Sequence, residues 1–161
     1  MDDIKVREIT GTDLVPLTFR LRYEVYTAET SVSLRSRLEG TMTDAHDEHA
    51  RHWAALAGNL LVASGRMCIH NAQDEIPDEF VFREVELPTP IATINRLVVK
   101  SEWRKRRLSK QIDLCRIQAA RENRAACVVV SAFDWRIGAL HEHGFKLLDN
   151  KWTTRGMVLK F

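Results

Sequence analysis

The sequence predicts an α/β or α+β domain, built on one mixed β-sheet sandwiched by helices, and three observations carry the prediction. Helix and strand signals alternate from one end to the other, with no internal repeat, low-complexity tract or linker between them. An apolar content of 45% over 161 residues is enough for one core and too little for two, so residues 1–161 are expected to form a single domain. The run from Ile91 to Val99 (IATINRLVV) reads as a central strand, and it leads through a basic turn into an amphipathic helix.

Taken in order, Ile4, Val6 and Ile9 mark a first strand. Gly11, Thr12 and Asp13 then offer a turn and a helix cap ahead of Leu14, Leu17, Leu21, Val25 and Ala28, whose spacings of three and four predict a helix to about Glu29. Thr30 to Glu48 is polar, with Gly40 and four acidic residues, and reads as a short helix followed by a loop. From His52 to Ile69 two apolar runs flank Gly58-Asn59, a pair suited to a tight hairpin turn. His70 to Pro90, with three prolines and six acidic residues, is expected to be a surface excursion that shapes a substrate mouth. After the central strand a helix is predicted from about Arg107 to Asn123, with Leu108, Ile112, Cys115 and Ala119 along one face. A strand at Cys127 to Phe133, a short helix around Arg136 to His143, a Gly144-Phe145 break and two strands flanking Asn150 complete the order.

Composition narrows the function classes. With 24 Lys and Arg against 22 Asp and Glu, the net charge of +2 lacks the excess that sequence-independent nucleic-acid binding draws on. No apolar run approaches the roughly 18 residues that cross a bilayer, and the opening MDDIKVREIT has acidic residues where an export signal carries cations. The three cysteines, Cys68, Cys115 and Cys127, contain no C-x-x-C pair and read as reduced thiols. A cytoplasmic protein without membrane span or nucleic-acid partner is expected, and a homodimer is compatible with the sequence.

Arg104, Lys105, Arg106, Arg107 and Lys110 place five cations in seven residues where the central strand gives way to a helix. A helix N-terminus already carries partial positive charge, so each cation there is unfavourable by roughly 0.3–1 kcal/mol. A phosphate or pyrophosphate would satisfy the dipole, the free amides and the side chains together. A solvated basic turn is the other reading of the same residues.

The order of elements, the strand TINRLVV, the basic turn and the later LHEHGFKLL resemble the GNAT superfamily of acyl-coenzyme A dependent N-acyltransferases over nearly the whole chain. The resemblance implies a mostly antiparallel central sheet flanked by helices on both faces. In that family Arg/Gln-x-x-Gly-x-Gly/Ala follows the strand and its amides hold the donor's pyrophosphate. The matching run is Arg104, Lys105, Arg106, Arg107, Leu108 and Ser109, continuing to Lys110, with Arg107 and Ser109 standing where the family has glycine. The resemblance also implies that the main chain of Leu97, Val98 and Val99 binds pantetheine and polarises the thioester carbonyl.

LRYEVYTAE, DAHDEHARHWAAL and SGRM are similar to a branch that includes N-acyl amino acid synthases and acyl-homoserine-lactone synthases. Their Arg-Leu/Phe-x-Val strand with a following Arg-Arg pair looks like Arg96-Leu97-Val98-Val99 with Arg106-Arg107. The lactone synthases carry a Glu shortly before that Arg, where this chain has Thr93 or Asn95. Such enzymes often take the acyl chain from acyl carrier protein, whose single phosphodiester and acidic surface suit a glycine-poor, Arg-rich turn.

The implied function is transfer of an acyl group, acetyl in the first instance, from acetyl-coenzyme A or another acyl-coenzyme A to a primary amine by direct attack. A carrier-protein dependent synthase and a non-catalytic acyl-coenzyme A binding module are the alternatives. Transfer needs a neutral amine, a stabilised oxyanion and a proton for the departing thiolate. Glu29, Asp44, Asp47, Glu48 and His49 group on the implied substrate side, and Glu29 is the candidate base. The family's usual acid, a Tyr before the Gly-Phe, is replaced by Leu140, so His141, His143 or Ser131 are the candidates for that proton. Asp44, His46, Asp47, His49 and His52 also invite a metal reading, but no other ligand-rich motif supports it and no metal is expected.

Overall fold

Strand β1, Ile4–Glu8, opens a sheet whose seven strands are hydrogen-bonded in the order β1-β2-β3-β4-β5-β7-β6. The computed structural model describes residues 4–29, 40–149 and 154–161. Helix α1 (Val15–Glu29) follows β1, then a 3-10 turn at Ala45–Glu48, strands β2 (Arg51–Ala57) and β3 (Leu60–His70), and two short 3-10 turns. Strand β4 (Ile91–Val99), helix α2 (Leu108–Glu122), strand β5 (Cys127–Ala132), helix α3 (Asp134–Glu142) and strands β6 (Lys146–Leu147) and β7 (Arg155–Lys160) complete the order. The registered pairs β1–β2, β5–β7 and β6–β7 are antiparallel, whereas β4 and β5 run parallel. This is the mixed, mostly antiparallel plan that the sequence implies.

The chain divides into two units, residues 1–66 with 96–115 and residues 67–95 with 116–161. In the first, Ile9, Leu21, Val25, Ala54, Leu56, Leu61 and Val98 form the core. Gly58 supplies the left-handed residue of the β2–β3 hairpin at φ +58. Helix α1 ends where the spacing predicts, yet its buried stripe is Thr18, Leu21, Arg22 and Val25, and Leu17 is exposed. The helix turns Arg22 inward because a buried carboxylate meets it there, and that partnership outweighs the burial of one more leucine.

In the second unit Ile76, Val81, Phe82, Leu87, Ile91, Cys127, Val129 and Val158 form the core. This corrects the expectation of a surface excursion from His70 to Pro90. Six acidic residues and three prolines point that segment to the surface, but its apolar residues pack on β4 and β5. Gln73 organises the segment from within: its side-chain amide donates to Phe82 O and Val85 O, and its carbonyl accepts from Leu87 N.

The helix expected between Thr30 and Glu48 falls partly on residues 30–39, and the turn at Asn150 on 150–153, outside the described residues. Within the described part, Asp44 caps a single 3-10 turn: its carboxylate accepts from His46 N, while its own N–H donates to Asp47 Oδ2. Among the described residues no helix is long and apolar enough to cross a membrane.

Candidate active site

The turn between β4 and α2 keeps a glycine-like backbone without glycine. Lys105 and Arg107 have φ of 62° and 60°, left-handed values that cost a residue with a Cβ about 1–2 kcal/mol. Left-handed residues just ahead of a helix are a feature of the concavities in which amides converge on an anion. Arg107 stands where α2 begins, its carbonyl accepting the helical bond from Gln111 N at 3.1 Å. Leu108 anchors the turn at 2% exposure, Ser109 is half-buried, and Arg104 to Arg107 and Lys110 are exposed. Arg106 is steadied by stacking over the Trp103 ring, 4.5 Å from its centroid.

The structure brings two expected site residues together. Arg104, expected to hold donor phosphate, pairs through Nη2 with the carboxylate of Glu29, the expected base, at the end of α1. Arg104 also reaches the Val99 carbonyl from Nε and Nη2 at 3.4 Å. A cavity of about 190 Å³ opens here, lined by Val25, Ala28, Glu29, Lys100, Ser101 and Arg104 among others.

In β4, Val98 is buried, and Leu97 and Val99 are half-buried. The parallel register with β5 runs from Ile91↔Cys127 to Thr93↔Val129, and β4 continues beyond it to Val99. Within that continuation Arg96 has φ of 52°, a third left-handed non-glycine in this part of the chain.

A charge network that the sequence did not reveal lies next to it. Arg22 of α1 grips Asp47 with Nη1 at 2.8 and 2.9 Å from its two oxygens. Arg66 of β3 bridges Asp47 Oδ1 at 3.0 Å and Asp44 Oδ1 at 2.6 Å, and Arg96 donates to Asp44 Oδ2 from Nε and Nη2 at 3.2 and 2.7 Å. Arg22 and Arg66 are 1% exposed and Asp47 6%. Burial pushes both carboxyls up, but hydrogen bonds and charge from Arg66 and Arg96 hold Asp44 far below the carboxylate range, and Arg22 holds Asp47 below it. Burial, then the charge of Arg22, lowers the His52 pKa. Its Nδ1 lies 3.5 Å from Arg22 Nη2, and because a guanidinium only donates, Nδ1 accepts and Nε2 carries the proton.

Asp44 and Asp47, considered above as base or metal ligands, are thus committed to three guanidiniums. Among the described residues no group of three or more His, Cys, Asp or Glu is arranged to hold a metal. Part of the signal for the network was present: Arg66 interrupts the otherwise uncharged, largely apolar run from Leu60 to Ile69, and a buried arginine needs a buried acid.

In the second unit His141 is exposed and its Nδ1 lies 2.9 Å from Phe145 O, donating to close the end of α3. His143 is half-buried and caps that helix, its N–H donating to the Leu140 carbonyl. Leu140 is fully buried, and Ser131 Oγ lies 2.6 Å from Thr154 Oγ1.

Comparisons with known proteins agree with this architecture. The family model described as acetyltransferase (GNAT) domain matches residues 21–112. No curated protein matches the chain. Among solved structures, FeeM, an N-acyl amino acid synthase from uncultured soil microbes, superposes with a TM-score of 0.72 at 12% identity, over 98% of this chain and 90% of that one. The coenzyme A dependent acyl-homoserine lactone synthase BjaI, with SAM and isopentyl-CoA, gives 0.75 at 20% identity over 96% and 80%. The PaiA N-acetyltransferase from Thermoplasma acidophilum in complex with coenzyme A gives 0.67 at 14% over 99% of each chain. At these identities the likeness is one of fold.

Proposed function

The chain belongs to the acetyltransferase (GNAT) domain family and is a GNAT-type acyltransferase, and on that premise we propose that it moves an acyl group from acyl-coenzyme A to a primary amine by direct attack. The observation that carries the donor assignment is the left-handed backbone at Lys105 and Arg107, set among five cations at the start of α2. A pyrophosphate fits this turn on charge and on backbone form, and PaiA, which shares the fold, holds coenzyme A.

In this reading Arg104, Lys105, Arg106, Arg107, Leu108, Ser109 and Lys110 hold the donor phosphates. The main chain of Leu97, Val98 and Val99 runs along pantetheine and polarises the thioester carbonyl. Arg104 turning to phosphate releases Glu29, whose carboxylate then takes the proton from the attacking ammonium, directly or through water. The amine nitrogen bonds to the carbonyl carbon and sheds its second proton to water, the carbon–sulfur bond breaks, and the thiolate leaves and is protonated, with His141 or His143 as candidate proton donors.

The exposure of Lys105, Arg106 and Arg107 favours a second donor, acyl carrier protein, whose acidic surface they would meet. Calorimetry with acetyl-coenzyme A tests the first reading: the Arg104→Ala, Arg107→Ala double variant should lose most of the affinity, and an unchanged affinity overturns the assignment. Charge reversal at Lys105 and Arg106 that slows transfer from acyl carrier protein far more than from acyl-coenzyme A would select the carrier.

A further inference from the structure

The cavity beside the Glu29–Arg104 pair also holds a nucleophile to which the acyl-transfer reading gives no task. Lys100 lines it, directly after Leu97–Val99, and its main-chain N–H donates to the Val62 carbonyl of β3 at 2.9 Å, which fixes the root of the side chain. Among the described residues Lys5, Lys105, Lys110, Lys146 and Lys160 are exposed, whereas the Lys100 side chain is only 26% exposed. Its Nζ lies 4.0 Å from Oε2 of Glu24 on α1, a second carboxylate of the same cavity. Val25 and Ala28 supply the apolar part of the wall.

Three requirements of thioester aminolysis meet at this lysine. The amine is Lys100 Nζ, and Glu24 is the carboxylate nearest to its proton. The acyl carbonyl is assigned above to the main chain of Leu97–Val99, and Lys100 is the next residue, one Cα step of about 3.8 Å along the chain. A flexible four-carbon stem lets the ammonium turn back over that segment. The contact with Glu24 does not prevent it, since 4.0 Å is too long for a hydrogen bond and Glu24 is 61% exposed. Lys105 and Lys110 belong to the turn assigned to the donor phosphates, at the other end of pantetheine from the thioester. An amine tethered beside a bound thioester reacts without a second encounter, an advantage equivalent to about 10⁵–10⁸ M in well-oriented intramolecular reactions.

We propose that Lys100 is a self-acylation site, modified by the chain's own bound acyl-coenzyme A when no acceptor amine is present. This deepens the acyl-transfer reading and rests on it. The Lys100 ammonium gives one proton to Glu24, its Nζ bonds to the carbonyl carbon and sheds a second proton to water, and the carbon–sulfur bond breaks. Coenzyme A leaves as the thiolate and is protonated by water, and Lys100 is left as a neutral Nε-acyl amide. The modification removes a cation from the cavity and places an acyl group beside Glu29, so it obstructs the site that made it.

The test incubates the whole chain with acetyl-, butyryl- and octanoyl-coenzyme A without added amine and reads the modified residue by peptide mass spectrometry. With at least one donor, Lys100 should approach one acyl group per chain. The rate should saturate with donor concentration and stay independent of protein concentration, as for a reaction within one chain. Lys100→Arg keeps the positive charge and should abolish the label without raising it at Lys105 or Lys110. Glu24→Gln should slow labelling by about 10²-fold, the lower scale of general-base catalysis. Calorimetry with coenzyme A on the same samples measures donor binding separately. Binding without label at Lys100, a label spread over the exposed lysines in simple proportion to donor concentration, a rate that rises with protein concentration, or an unchanged rate in Glu24→Gln overturns the proposal and leaves the acyl-transfer reading standing. Neither binding nor label with any donor overturns the donor assignment and the proposal with it.

Discussion

The Glu29 carboxylate and the Arg104 guanidinium are ion-paired, linking the last residue of α1 to the turn that follows β4. In the proposed mechanism each residue has a different task, and neither performs it while holding the other. Donor phosphate would then compete with Glu29 for Arg104, coupling donor binding to release of the base. Both side chains are more than two-fifths exposed, which keeps the pair weak, at about 0–1 kcal/mol, and easily exchanged.

Glu29→Gln therefore separates binding from chemistry. Coenzyme A affinity should stay the same or rise by up to about fivefold, since a competing carboxylate is gone. The turnover number should fall by about 10²-fold, the lower scale of general-base catalysis. Calorimetry and steady-state kinetics on the same variant check both signs.

At Arg107 the backbone asks for glycine while the proposed donor site asks for a cation. Arg107→Gly and Arg107→Ala both remove the charge, but only glycine adopts φ of 60° freely. In urea unfolding the Gly variant should be more stable than the Ala variant by about 1 kcal/mol. Both should bind coenzyme A more weakly than the wild type if the side chain contacts phosphate.

The buried network sets the acid limit of the fold. Asp44 and Asp47 have lowered pKa values in the folded state, so their stabilisation is complete above the unfolded carboxylate pKa of about 4 and is lost as pH falls from there toward the folded values. The His52 pKa is also lowered, so its contribution is present above about pH 6.5 and declines below that as the unfolded chain takes up the proton first. Stability against pH should thus fall in two stages. His52→Gln should flatten the upper one. Asp47→Asn should lower stability at pH 7 by about 3–5 kcal/mol, because Arg22 is left buried beside a neutral amide.

The leaving thiolate needs little help, because a thiol's pKa lies not far above neutral, whereas the attacking ammonium must lose its proton first. The kcat/KM profile should rise with one apparent pKa and survive replacement of both His141 and His143 by Ala. A bell whose alkaline limb vanishes in that variant would assign the acid to the histidines. Loss of the His141 bond to Phe145 O should cost only about 1 kcal/mol of stability.

Much of the fold was legible where the pattern is local. Ile91–Val99 is the strand that its apolar run predicts, and Gly58-Asn59 closes the hairpin expected of it. Helix α2 begins within one residue of its predicted start. Legibility failed where polar and apolar residues mix for a reason outside the segment. Ile76, Val81 and Phe82 sit among acids and prolines, so composition pointed to the surface although those three side chains belong to a core. The left-handed turn at Lys105 and Arg107 was hidden because neither residue is the glycine that announces such a backbone.

By itself the sequence determined the order of helices and strands and the concentration of cations between Arg104 and Lys110. Periodicity and local charge are properties of neighbours along the chain. Only the tertiary structure decided which charges neutralise which. Arg22, Asp44, Asp47, Arg66 and Arg96 come from a helix, a turn and two strands, and no spacing relates them. Burial makes their pairing obligatory, because a guanidinium removed from water must find a carboxylate, and the fold alone determines which one is within reach.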